Sequence, residues 1–135
     1  MRRRCPLSEP AGTARLEGYA LRIALPANRP PGQGFATVTA APGRSVPGAL
    51  FRLHRGDLKA LDAYEGFPTL YAREEFAVLA GGRRVKAFLY RMYEPLRPAP
   101  PEAGYAKTLR EGYADFALPA EVLEEALAET EGIHL

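Results

Sequence analysis

The sequence predicts an α+β fold: one domain built on a small mixed, mostly antiparallel β-barrel or half-barrel, with helices flanking it. Three observations carry this. Short stretches through the first two thirds of the 135 residues alternate apolar and polar side chains or concentrate β-branched ones. Thirteen glycines and 13 prolines separate and curl these stretches. Helical periodicity is confined to one segment ending at Glu65 and to the last third of the chain.

Residues 1–5 are an arginine-rich start that runs into Pro6, as a helix does where it ends. Residues 14–24 read as a strand, with Tyr19, Leu21 and Ile23 alternating against Ala20 and Arg22. Three prolines and a glycine make residues 26–33 a loop. Residues 35–40 form a short strand through Thr37, Val38 and Thr39, closed by a Pro42-Gly43 turn. Residues 45–53 are the next strand, which Pro47 assigns to an edge or a bulge and in which Gly48 allows close backbone approach. Residues 56–65 are a short helix, with Asp57 at its positive end, Gly66 as a left-handed cap and Phe67-Pro68-Thr69-Leu70 as a tight exit. Gly81-Gly82 joins residues 71–79 and 84–93 as a hairpin. Four prolines make residues 95–101 a stiff connector. Residues 104–113 are helical, with Tyr105, Leu109 and Tyr113 on one stripe. Pro119 opens a last helix whose stripe is Val122, Leu123, Ala126 and Leu127.

Composition narrows the function classes. Hydrophobic residues at 47% and charged ones at 25% are ordinary for a soluble domain. A net charge of +2, concentrated at Arg2, Arg3, Arg4 and at Arg83, Arg84, without interleaved aromatics, argues against nucleic acid. One cysteine, Cys5, forbids an internal disulfide, and with His54 and His134 isolated from it no metal is expected. No run of 18 apolar residues and no signal-peptide pattern occurs, so the chain is expected off the membrane and in the cytoplasm. A single Asn28, a single Gln33 and the many prolines fit a chain selected for heat resistance.

The sequence lacks a glycine-rich phosphate loop, a GxSxG elbow and an HExxH motif. Chemistry is left to Glu65, Asp62 and the tyrosines. At about 100° per residue, Leu58, Leu61 and Glu65 fall within roughly 60° of one another, with Asp62 at the edge of that stripe. Two readings stand at this point. Glu65 turns inward with the leucines, where a carboxylate lacking a counter-charge has its pKa raised and suits acid/base work. Alternatively it sits on a fraying helix end and faces water. Tyr105 is likewise open between a core position and a catalytic one.

Several blocks now resemble one family. Val46-Pro47-Gly48-Ala49-Leu50-Phe51, Leu61-Asp62-Ala63-Tyr64-Glu65-Gly66 and Tyr71-Ala72-Arg73 look like the V-x-G-x-L/V-Y/W, LD-x-x-EG and Y-x-R patterns of the γ-glutamylcyclotransferase (AIG2-like) family. Gly34-Phe35-Ala36-Thr37 resembles its G-x-AT strand, and residues 112–119 its G-x-x-x-x-G-L-P segment, with Ala117 where the second glycine usually stands. Ala14-Arg15-Leu16 with Tyr19 resembles a further strand. The resemblance implies a γ-glutamylcyclotransferase-like barrel that converts a small-molecule γ-glutamyl substrate to 5-oxoproline and a free amine without a cofactor. It implies Glu65 as the general acid/base, Tyr105 and Phe88 toward the substrate, and Asp62 in support. Phe88 lies near a position where a tyrosine is frequent.

The family's opening strand and YGSN/YGTL-type loop have no counterpart here, so the resemblance implies a domain that is N-terminally incomplete. An uncovered sheet edge, lower stability and self-association are expected from that. Two other functions are set against the enzyme: a non-catalytic ligand-binding or regulatory member of the family, and a small protein-interaction domain.

Overall fold

The computed structural model describes residues 9–65 and 71–132; of residues 55, 60, 61, 64 and 65 it describes the backbone. The arginine-rich start with Cys5, the Gly66 cap, the 67–70 exit and His134 lie outside the described residues.

One long strand organises the sheet. β1 (Glu9–Pro26) pairs antiparallel with β2 (Phe35–Arg52), and at Arg15 opposite Leu79 it meets β3 (Tyr71–Ala80). β3 continues through Gly81-Gly82 into β4 (Arg83–Met92), giving the order β2-β1-β3-β4. Both turn glycines have positive φ, 58° and 77°, which a two-residue hairpin turn of the twisted kind demands. The sheet curls like a barrel without closing. Side chains, with no ladder among the described residues, tie the hairpin back to β2: Met92 N–H donates to Thr37 Oγ1 at 2.9 Å and Arg91 Nε–H to the Val38 carbonyl at 3.2 Å.

Two expectations need correction. Residues 35–40 and 45–53 are one strand, and Pro42-Gly43 does not turn the chain. The register passes from Glu17 opposite Ser45 to Tyr19 opposite Ala40, so residues 41–44 face Gly18 alone. This large bulge sits where Pro42 has no N–H to give, and Gly18 and Gly43 take φ of 83° and 85° to accommodate it. The proline-rich connector also hides a strand. β5 (Leu96–Pro98) pairs with residues 24–26 of β1, and Ala99 N–H donates to the Ile23 carbonyl at 3.1 Å.

Three helices complete the fold. α1 (Arg55–Glu65) follows β2, and its start is capped by His54, whose Nδ1 accepts the Gly56 N–H at 3.1 Å. α2 (Ala103–Asp115) and α3 (Ala120–Ala128) cover one face of β1. Leu21 and Ile23 pack there against Ala106, Leu123, Ala126 and Leu127, with Leu123 only 1% exposed. A second apolar cluster, Leu16, Val38 and Val78, lies elsewhere in the curled sheet. Beside it runs an apolar groove of about 190 Å³ between Val46, Leu50, Phe76 and Leu89. α2 ends with Ala117 in the left-handed region at φ 53°. Leu118 N–H reaches the Tyr113 carbonyl at 2.8 Å and Ala117 N–H the Ala114 carbonyl at 3.1 Å, the paired bonds of a Schellman cap.

Candidate active site

Asp62 and Glu65 share a helix face, because three residues on an α-helix are about 60° apart in projection. Glu65 is the last residue of α1, and its side chain is outside the described ones. Asp62 is described in full and is held from two sides. Arg73 Nη1 donates to Oδ2 at 2.5 Å, and the Tyr90 hydroxyl donates to Oδ1. Arg73 and Tyr90 are register partners on β3 and β4, so the hairpin itself aims both donors at one carboxylate. Side-chain exposure of 31% for Arg73 and 20% for Asp62 marks the pair as partly sheltered.

Phe88 joins this group. Its ring stands edge-on to Tyr90 with centroids 5.9 Å apart, and the Arg73 guanidinium carbon is 5.8 Å from its centroid. At 37% exposure it also lines the apolar groove. Burial first, and then the bond to Asp62, pushes the Tyr90 phenol well above its ordinary 10.0, so it is a donor throughout the neutral range. The hydrogen bond to Asp62 raises Arg73 from an already high value.

Tyr105 belongs to a second group, centred on Ala36. The Ala36 N–H donates to the Tyr105 hydroxyl at 2.9 Å, and the Tyr71 hydroxyl donates to the Ala36 carbonyl at 2.9 Å. Phe35 stands edge-on to Tyr105 at 5.4 Å. Asp62 and Phe88 thus come together through Arg73 and Tyr90, while Tyr105 is anchored on the first residues of β2.

Arg73 and Tyr90 are the residues that reading the sequence left without a role. A signal existed: a two-residue turn fixes hairpin register, and counting outward from Gly81-Gly82 puts Tyr90 opposite Arg73. No group of three or more His, Cys, Asp or Glu side chains among the described residues is placed to hold a metal ion. No helix among them is long and apolar enough to cross a membrane.

The model of the family described as gamma-glutamyl cyclotransferase, AIG2-like, matches residues 2–117. The chain belongs to this family. Solved structures agree in fold. A human protein, uncharacterized protein loc79017, matches with a TM-score of 0.82 and 26% identity, over 99% of this chain and 81% of its own. A structure described as gamma-glutamyl cyclotransferase matches with a TM-score of 0.83 and 25% identity, over the same shares. YkqA from Bacillus subtilis shares the fold at a TM-score of 0.79 and 23% identity, over 98% of this chain and 47% of that one. No curated protein matches the sequence.

Within the γ-glutamyl cyclotransferase family frame, the motif residues acquire physical reasons. Gly34 of G-x-AT passes so close to Ala99 that a Cβ would lie 2.2 Å from its carbonyl oxygen. The alanine after it lends its backbone to two tyrosines, and Thr37 supplies the acceptor for Met92. In Y-x-R, Tyr71 reaches Ala36 and Arg73 reaches Asp62.

Proposed function

We propose that this chain is a γ-glutamyl cyclotransferase, releasing 5-oxoproline and a free amine from a γ-glutamyl amino acid, peptide or amine, with Glu65 as general acid/base. The reading is carried by a conjunction. The family match spans residues 2–117, and within it Glu65 closes α1 one turn beyond an Asp62 tied to the hairpin.

In this reaction the Glu65 carboxylate takes a proton from the substrate's α-ammonium group. The freed nitrogen attacks the γ-carbonyl carbon and closes the five-membered ring. The bond from that carbon to the departing nitrogen breaks, and the proton passes from Glu65 to the leaving amine. One C–N bond forms and one breaks, with no electron transfer and no water consumed, so the step balances without a cofactor. Ring closure is intramolecular, which leaves the protein to fold the substrate, align its amine and exclude water. Tyr105 is the proposed contact for a substrate carboxylate. The part-exposed Phe88 ring, in the Asp62 group, is the proposed apolar contact for the substrate.

Glu65→Gln in the full-length protein is the test. Gln keeps the shape and cannot carry the proton, so 5-oxoproline release should fall about 10²- to 10⁴-fold while the melting temperature holds. Release within a few-fold of the parent would remove Glu65 from the role.

A further inference from the structure

α1 is a short helix of 11 residues, carrying the proposed acid/base at its very end. Helix ends fray, and placing a carboxylate to within a fraction of an ångström requires something to hold the last turn. The N-terminal side is fixed by His54, through Gly56 N–H to Nδ1 and Asp57 N–H to the His54 carbonyl at 2.9 Å. The C-terminal side is fixed at Asp62.

We propose that Arg73 and Tyr90 are positioning residues: gripping the two oxygens of Asp62 from adjacent strands, they set where the last turn of α1 lies and so where Glu65 stands. The inference rests on the acid/base reading of Glu65 given above. Its geometric content is that one contact would let the helix roll about it, whereas two do not. Donors on Oδ1 and Oδ2, coming from register partners of one hairpin, fix the plane of the carboxylate. Phe88 backs the grip, lying edge-on to Tyr90 and 5.8 Å from the Arg73 guanidinium carbon. Glu65 is three residues on, about 60° round and about 4.5 Å along the axis, so a displacement at Asp62 passes on with little loss. The phenol, pushed up by burial and by Asp62, keeps its proton and remains a donor at working pH.

Tyr90→Phe in the full-length protein tests this, since it deletes one donor and keeps the ring that meets Phe88. Two readouts are taken. Amide hydrogen exchange in α1 should speed up about tenfold while the β1–β2 ladder is unchanged. The kcat for 5-oxoproline release from a γ-glutamyl amine should fall on the order of 10- to 100-fold, with KM within about threefold. In a Glu65→Gln background the same change should cost no further activity, which a general loss of stability would not produce. Arg73→Lys, which keeps the charge but loses the planar fork, should show the same pattern and serves if Tyr90→Phe does not fold. Unchanged α1 exchange overturns the grip whatever the activity, and a kcat within twofold of the parent overturns its effect on Glu65. If α1 responds but the parent itself releases no 5-oxoproline, the grip stands and the cyclotransferase reading falls.

Discussion

Gly34→Ala is a sharp test of the fold because two effects of opposite sign meet there. The φ of Gly34 lies outside the left-handed region, so nothing in the backbone requires glycine. In open space an alanine would stabilise by about 0.4–1 kcal/mol through the unfolded chain's lost freedom. The space is not open. A Cβ would meet the Ala99 carbonyl oxygen at 2.2 Å, its carbon at 2.9 Å and its Cβ at 3.1 Å. Ala99 is 3% exposed, and the two nearest of these atoms are backbone and the third its Cβ, so no flexible side chain can swing aside. Relief means separating the two segments by about 1 Å, which strains Gly34 N–H to the Pro100 carbonyl at 2.8 Å and Ala99 N–H to the Ile23 carbonyl at 3.1 Å. Overpacking costs about 1–3 kcal/mol and each weakened hydrogen bond about 0.5–1.5 kcal/mol. The net is a loss of about 1–5 kcal/mol, a large part of the stability of a domain this size. Urea unfolding followed by circular dichroism measures it. A variant as stable as the parent, or more so, would refute the close approach of Gly34, just before β2, to Ala99, just after β5.

Ala117→Gly should do the reverse. Ala117 holds φ 53° in the cap of α2, and removing its Cβ there should raise stability by about 1 kcal/mol; a lower midpoint would refute the left-handed cap. Alkaline titration gives the other expectation. Burial raises Tyr113, and burial followed by Asp62 raises Tyr90, both from an ordinary 10.0. The native state therefore keeps these protons longer than the unfolded chain, so their stabilisation is complete below about pH 10 and declines as pH rises beyond it. Ultraviolet titration of tyrosinate should show a late component, reduced in Tyr90→Phe; titration of every tyrosine near its ordinary value would contradict it.

Legibility followed the range of the interaction. The β3–β4 hairpin was readable because Gly81-Gly82 is a local signal that fixes register as well as existence. The α3 stripe was readable because Val122, Leu123, Ala126 and Leu127 share one face whatever they pack on. Pro42-Gly43 misled because the same dipeptide that closes a turn also suits a bulge, and only the partner strand decides between them. β5 was masked by the prolines of residues 95–101, although a proline can still accept in a ladder through its carbonyl. Asp62 was singled out on helix geometry. Its two partners depend on how α1 docks against the hairpin, which no window of the sequence contains.

The family motifs are longer than the chemistry alone needs, and the geometry accounts for the excess. In the proposed reaction one carboxylate shuttles the proton, yet Gly34, Ala36, Thr37, Tyr71 and Arg73 all belong to the quoted patterns. Gly34 lets two backbones touch, and Thr37 accepts the Met92 N–H that closes the hairpin onto β2. Ala36 is held between Tyr71 and Tyr105, which links β3 to α2 through the first residues of β2. Arg73 carries the same hairpin to α1 through Asp62. Each of these bonds joins two different elements, and β3 takes part in two of them. The chain therefore places Tyr105 and the end of α1 relative to one common strand. The proposed cyclisation, whose rate depends on alignment, would require just that: a fixed distance between Tyr105, the proposed substrate contact, and Glu65, the proposed acid/base.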